Sequence, residues 1–315
     1  MPHPPANISG LPAAVRHLAL DSAALAAADL LRRHGIGSVL LKGAGLAHRL
    51  GVRHTRSYGD VDLLVAPAAF AAAQATLAAA GYRARVAEHL ADDWELWHER
   101  SWGTPDPIPL TIDLHRGFAG VGDPEVLWRE VDAGAESMAL VGGAVRVPGP
   151  ACAALFVALH AASPGVSVKP RADLALAVEA LSRDVWTAAA TVAAACAATP
   201  AFAVGLRTLP AGAALAAELN LLDSCPLDQR LVARQASRTA IGLARVTRLP
   251  TWRTRARFLG RRVLPLPGQL RHADPLARRG TAGLLLAYAN RIVRHLRRLP
   301  RAVGEVRGAR RADRH

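Results

Sequence analysis

Two aspartates two positions apart inside an apolar run constrain this chain more than any other feature. The run is Asp60-Val61-Asp62-Leu63-Leu64-Val65. Its apolar content predicts a strand. Side chains alternate along a strand, so both carboxylates share one face while Val61, Leu63 and Val65 take the other. Like charges a few ångströms apart repel. Burying such a pair costs several kcal/mol unless a cation sits between them. Mg²⁺ suits that position, with Mn²⁺ as a substitute, because it takes carboxylate oxygens, keeps waters and draws its remaining ligands from substrate phosphates.

A third acid fits the same picture. Asp113 lies in Ile112-Asp113-Leu114-His115, flanked by apolar residues on another predicted strand. A carboxylate does not enter a core without a partner. If the two strands pair, Asp60, Asp62 and Asp113 converge as metal ligands. One ion would steady a triphosphate and another would lower the pKa of an attacking hydroxyl, with Asp113 helping to take its proton. Upstream, Lys42-Gly43 closes the apolar run Ile36–Leu41 and opens a short helix. Glycine lets backbone N–H groups approach phosphate, a helix start favours anions, and lysine supplies a mobile point charge. The choice of lysine is informative, because the chain has two lysines, Lys42 and Lys169, against 37 arginines. Arg56, four residues before Asp60, sits where a loop can fold over the triphosphate. The GxxxxGK[ST] spacing of a P-loop is absent.

Around this segment the chain reads as an α+β part over residues 1–149. It has a small mixed sheet flanked by helices, with helices at Leu11–Arg33, Gly43–Leu50 and Ala68–Ala80. Strands are expected at Ile36–Leu41, Asp60–Val65, Tyr82–Val86, Glu95–Glu99, Ile108–His115 and Val145–Val147. From Pro150 the pattern is helical: Ala151–Ala162, Arg171–Ser182, Val185–Ala198, Ala211–Leu222, Asp228–Arg245 and Thr281–Arg298. The expected domains are therefore 1–149, a helical substrate or closing domain over 150–300, and a basic flexible tail over 301–315.

Charge divides the chain unevenly. The overall balance is +14, yet residues 230–315 hold 22 arginines against three acids, for a net +19, and residues 1–229 carry −5. The cationic region can meet RNA or another polyanion, anionic lipid or an acidic partner; its plain alternative is a solvated arginine-rich surface. An apolar fraction of 51% with 20% charged residues argues against disorder. Three scattered cysteines exclude a disulfide framework and a thiolate zinc site. With no basic-then-apolar start, they point to the cytoplasm. The uncharged stretch 185–206 contains Pro200 and is expected as a buried helix rather than a membrane span.

The glycine turn after a strand, the acidic pair on the next strand and a third acid on a later one resemble the polymerase-β-type nucleotidyltransferase superfamily. More narrowly, LKGAGL, GDVDLLV and the later IDLH are similar to the bacterial family described as uncharacterised nucleotidyltransferase. His160 followed by Lys169-Pro170-Arg171 and Asp173-Leu174, and the late PLPGQLRHADP and LLLAYANRIVRHL stretches, extend that similarity downstream. The resemblance implies transfer of an NMP group from an NTP to an acceptor hydroxyl or phosphate with release of pyrophosphate. It also implies ATP or another NTP as donor, and members often accompany clusters for peptide or surface-polysaccharide biosynthesis. Asp60, Asp62 and Asp113 would bind metal and carry catalysis; Lys42, Gly43 and Arg56 would hold the nucleotide. The superfamily's turn usually reads Gly-Ser, whereas this chain has Lys42-Gly43-Ala44 and lacks the phosphate-holding hydroxyl. Two other readings share the pattern: an RNA-modifying toxin of the same fold, with the cationic region as RNA surface, and a non-catalytic nucleotide-binding scaffold.

Other residues have plainer expectations. Tyr58 is packing beside the site. His115 is a hydrogen-bonded structural histidine, and Trp94, Trp97 and Trp102 form a small core rather than a base-stacking surface. His160, Arg171 and Asp173 join helices. His89, His98 and His115 lack an ordered zinc motif.

Overall fold

The computed structural model describes residues 12–52, 56–85, 98–105, 110–163, 168–221, 226–234, 236–249 and 251–311. Elements are numbered in chain order among these. The acidic run forms β2 (Val61–Val65), every residue of which is buried. Its neighbours are β1 (Ser38–Leu40), β5 (Thr111–His115), β4 (Glu99–Gly103) and β3 (Arg83–Ala84), in the order β1-β2-β5-β4-β3. The β2–β5 pairing is parallel and the other three are antiparallel. A parallel pair needs a crossover. Here α3 (Phe70–Ala79), entered through a 3-10 turn at Pro67–Ala69, begins that crossover.

Period-two alternation assigns the two faces. Val61, Leu63, Val65, Ile112 and Leu114 pack against Leu20, Ala27 and Leu31 of α1 (Ala13–Arg33) and against Phe70, Ala73 and Leu77 of α3. Fully burying an aliphatic side chain of this size is worth about 1.5–3 kcal/mol, so the odd positions of β2 anchor the sheet. On the opposite face Val39 and Leu64 join Leu155, Phe156 and Leu159 of α5 (Pro150–Ala161). Asp62 and Asp113 belong to this second face, under α5.

The chain divides into two compact units. The first comprises residues up to 161 together with 168–221. It adds α2 (Ala44–Arg49), α4 (Pro124–Ala133), the hairpin β6 (Glu136–Leu140) and β7 (Gly143–Val147), α6 (Val168–Ala180), α7 (Arg183–Ala195), α8 (Thr199–Leu206) and α9 (Pro210–Glu218). The expected boundary at residue 149 falls between β7 and α5, while the unit that contains the sheet continues to residue 221. Residues 116–144, where apolar periodicity is weak, hold α4 and β6. Asp123 caps α4 by accepting from the Glu125 and Val126 amides, with Pro124 at the first helical position. The uncharged stretch 185–206 is two helices rather than one, because Ala197 turns left-handed at φ 52°. Gly205 of α8 lies so close to α5 that an added Cβ would fall 1.9 Å from the Ala158 carbonyl oxygen. No helix among the described residues is long and apolar enough to cross a membrane.

The second unit holds α10 (Leu227–Ala233), α11 (Arg238–Arg248), α12 (Trp252–Val263), α13 (Pro267–Ala273) and α14 (Gly280–Arg311). The expected single helix 228–245 breaks at Ser237, whose hydroxyl accepts from the Ala240 amide and caps α11. Leu231, Ala240, Ile241 and Ala244 pack against Ala302, Val306 and Ala309. That contact corrects the expected flexible tail: residues 301–311 continue α14, because successive turns of this arginine-rich segment carry the small apolar residues Ala302, Val306 and Ala309, which face α11. Trp94, Trp97 and His89 lie outside the described residues, as does most of the expected strand 95–99. Trp102 is buried in the core beneath the sheet, as a packing residue would be.

Candidate active site

Register decides where the acids meet. In the parallel β2–β5 pair, Asp62 stands directly opposite Asp113, and Leu64 opposite His115. The two carboxylates therefore point to the same face from adjacent strands. Asp60 sits at the start of β2 on the same parity and is exposed at the mouth. Asp62 is buried, with 3% of its side chain exposed. A lone carboxylate there would be costly, and two donors offset this. Lys42 Nζ donates to Asp62 Oδ1 at 2.7 Å. His115 Nε2 meets the same oxygen at 3.0 Å, and because an ionised carboxylate only accepts, that nitrogen carries the proton. Asp62 Oδ2 is buried with no hydrogen-bond partner among the described residues.

Electrostatics sorts the three acids. Burial alone would raise Asp62, but the Lys42 charge, the His115 hydrogen bond and its charge hold it far below the usual carboxylate range. Asp60 moves the other way, raised by the part of its hydration that the mouth of the site removes and by repulsion from Asp62. Asp113 is raised by burial, with Asp62 and Glu99 adding repulsion against the opposing hydrogen bond from Ser101. Ser101 Oγ donates to Asp113 Oδ1 at 2.5 Å from the neighbouring β4. Burial would lower Lys42, yet Asp62 and Asp60 raise it, so it stays cationic. Its ammonium also lies 5.4 Å from the centre of the Phe118 ring.

The turn that delivers Lys42 requires glycine. Gly43 adopts φ 62° and ψ −126°, a region closed to side chains with a Cβ. The Tyr58 ring packs beside it, and the Tyr58 hydroxyl donates to Asp21 Oδ1 at 2.6 Å. The helix that follows, α2, has six residues, so lysine rather than a helix dipole supplies the positive charge at this turn. Arg56, expected over a triphosphate, bonds within the protein. It is buried, and its Nε and Nη2 donate to Asp173 at 2.8 and 2.9 Å while Nη1 donates to the Gly43 carbonyl at 3.2 Å. These three contacts tie α6 to the glycine turn.

Residues outside the acidic motif stand near it. A small pocket is lined by Lys42, His160, Asp173, Leu41, Leu46 and Phe156, among others. Burial, then the nearby Lys42 charge, lowers His160 to about 4, so it is neutral at pH 7. Lys169 lies one helical turn before Asp173 on α6. Burial and then Arg56 pull its ammonium below the usual value, while Asp173, Asp60 and Asp62 pull it back. It is within electrostatic reach of the acids and has no hydrogen-bonded or ion-paired partner among the described residues. The sequence signal for it was the rarity of lysine, the same signal that singled out Lys42. His98 is lowered to about 4, chiefly by burial. Among the described residues no three His, Cys, Asp or Glu side chains stand ready-made at metal-ligand spacing; Lys42 is seated on the acid that would be central to one. The orphaned Asp62 Oδ2 and two acids with raised pKa are nonetheless a donor set that fits a divalent cation.

Facing carboxylates on a parallel strand pair, with a glycine-turn lysine bonded to one of them, suit phosphate chemistry. The sequence pattern of the uncharacterised nucleotidyltransferase family matches residues 11–211, and the chain belongs to that family. It is a nucleotidyltransferase, a transferase of nucleotidyl groups. No curated protein matches the chain. Among solved structures, it is similar to the solution structure of the antibiotic-resistance factor ANT(2'')-Ia, at 17% identity over 57% of this chain and 92% of that one, with a TM-score of 0.39.

Proposed function

We propose that this protein transfers an NMP group from a Mg²⁺-bound NTP, ATP being the simplest donor, to a hydroxyl or phosphate of a small molecule, peptide or saccharide. The observation that carries the reading is the direct opposition of Asp62 and Asp113 across a parallel pair, with Lys42 bonded to Asp62. Asp60, Asp62 and Asp113 would hold Mg²⁺ or Mn²⁺, which supplies charge neutralisation at the phosphates and acidifies the acceptor hydroxyl. Asp113 accepts the acceptor's proton; its raised pKa brings it nearer to the value a base needs at neutral pH. Ser101 and the sheet fix its carboxyl. Lys42 and Lys169 hold the β- and γ-phosphates as point charges and stay with the pyrophosphate as it leaves. Lys42 takes the place of the missing turn serine. Arg56 and Asp173 act as positioning residues for the Gly43 turn. Neutral His160 hydrogen-bonds without adding charge. Catalysis comes mostly from alignment and charge balance.

The test combines two measurements. The first is titration of Mg²⁺ with a non-hydrolysable ATP analogue, read as a rise in melting temperature. The second is label transfer from α-³²P NTPs to the protein itself, to tRNA and to a panel of sugar phosphates and peptides. The parent is expected to show Mg²⁺-dependent analogue binding that Asp60→Asn/Asp62→Asn lacks, and label that depends on both aspartates. Equal labelling by parent and variant discards the assignment. Label on tRNA alone replaces the small-molecule reading with the RNA-modifying one.

A further inference from the structure

The inward face of α14 changes chemistry partway along. At Ala287 it packs with Leu270 and Ala277, and at Ala302, Val306 and Ala309 it packs on Leu231, Ala240, Ile241 and Ala244. Between those contacts the same face carries Arg291, Arg294, His295 and Arg298, spaced i, i+3, i+4 and i+7. At 3.6 residues per turn these four span an arc of about 100°, and Ala287 and Ala302 fall inside it. The C-terminal end of α12 meets this stripe. Arg291 Nη2 donates to the Arg262 carbonyl at 2.9 Å, and the Tyr288 hydroxyl donates to the Pro265 carbonyl at 2.6 Å. The Arg262 guanidinium lies against α11, where a Cβ added to Gly242 would fall 2.9 Å from its Cζ. Basic side chains thus gather where the helix elsewhere presents alanine.

Little opposes their charge. Among the described acids of this unit, Asp228 pairs with Arg245, and Glu305 with Ser237 and Arg301; Asp274 is the one that reaches the stripe, 3.7 Å from Arg294. Arg291 Nε is buried with no hydrogen-bond partner among the described residues. Burial, then the Arg294 and Arg262 charges, pull Arg291 below the usual arginine value. Burial, then Arg291, Arg262, Arg298 and Arg294, lower His295. Like charges held this close repel unless an anion sits among them. We propose that Arg262, Arg291, His295 and Arg298 form a binding site for a compact phosphate anion. Arginine suits that ligand, because its planar fork of N–H donors matches phosphate oxygens. The length of the site selects a compact ligand over a nucleic-acid strand. From Arg291 to Arg298 the stripe runs about 10 Å at 1.5 Å per residue, and the packed residues around Ala287 and Ala302 close it at both ends. A strand needs a basic track that continues past the site. This inference rests on the second unit and is independent of the transferase reading.

The experiment is isothermal titration of the full chain with inorganic phosphate, in a phosphate-free buffer of low ionic strength containing EDTA, so that no metal–phosphate complex contributes. The parent is expected to bind. Arg298→Gln and Arg291→Gln should each weaken binding about tenfold, the loss of one charge-assisted hydrogen bond. Arg297→Gln removes the same charge from outside the arc and should change affinity less than about twofold, since solvent screens it. Lys169→Met alters the transferase site and should leave phosphate binding as it is. Glutamine is a good helix former, and Arg298 is exposed, so Arg298→Gln keeps the test open even if Arg291→Gln, which loses its bond to the Arg262 carbonyl, fails to fold. Failure of the parent to bind phosphate overturns the proposal. So does an Arg297→Gln loss equal to that of Arg298→Gln, which marks diffuse charge. Binding lost in Lys169→Met and kept in both stripe variants overturns it by assigning the phosphate to the transferase site. Capture of single-stranded RNA through Arg298 with no phosphate binding overturns it in favour of a nucleic-acid backbone.

Discussion

Replacing Arg56 separates a structural role from a nucleotide-binding one. Its guanidinium and the Asp173 carboxylate each expose 5% of their side chains, so neither charge has water to fall back on. Removing one partner of such a buried pair costs about 3–5 kcal/mol, because the other is left uncompensated. For a cooperative unit of this size, 1 kcal/mol moves the melting temperature by about 2–4 °C. Arg56→Met should therefore melt about 6–20 °C below the parent, with Asp173→Leu in the same range. The double variant should recover much of the loss, since two apolar side chains then replace the pair. Recovery stays incomplete because the Gly43 carbonyl loses its donor. The assay is thermal unfolding of the four proteins followed by circular dichroism, analysed as a double-mutant cycle. Analogue binding by Arg56→Met, measured well below its melting temperature, should change far less than its stability. If Arg56→Met melts with the parent and loses nucleotide binding instead, the ion pair described here is wrong and the loop does fold over the triphosphate.

Other perturbations give distinct signatures. Asp113 has a raised pKa, so its ionisation disfavours the folded state, and Asp113→Asn should be more stable than the parent at neutral pH without metal. That advantage should grow as pH rises from the ordinary carboxylate range through the raised value of Asp113 and then level off; melting curves across pH check it, and label transfer should be lost in the same variant. Lys169→Met should leave melting nearly unchanged and weaken affinity for pyrophosphate and the ATP analogue several-fold, read by isothermal titration, whereas equal affinity would remove Lys169 from the site. Gly205→Ala should cost several kcal/mol or prevent folding, because its methyl group would meet the Ala158 carbonyl at 1.9 Å and backbone cannot step aside as a side chain can; a parental melting curve would contradict that packing.

The acidic strands were legible because their signal is local: charge inside an apolar run is rare enough to demand a partner. The register that sets Asp62 opposite Asp113 is a long-range property, and spacing along the chain could only make it conditional. Arg56 shows the opposite limit. Its position before Asp60 suggested a loop over substrate, but its partner Asp173 is 117 residues away on α6, and no local pattern announces a pairing at that distance. The periodic reading ended one helix at Ala198, beside the left-handed Ala197, but missed α8 that follows it, whose buried residues run around the whole helix and show no amphipathic period. The tail escaped for a related reason. Alanine and valine spaced among arginines give a weak apolar stripe, and its partner α11 must be known before the stripe has meaning.

The parallel β2–β5 pair has a consequence for assembly. Asp62 and Asp113 are separated by about fifty residues of crossover, so their meeting is among the costlier loop closures in the sheet and follows hairpin contacts such as β6–β7. Lys42 reaches Asp62, 20 residues away, through the β1–β2 pair, whereas the opposition of Asp62 and Asp113 waits on the longer closure. The lysine–acid contact is thus local, and the full set of acids is a property of the completed sheet.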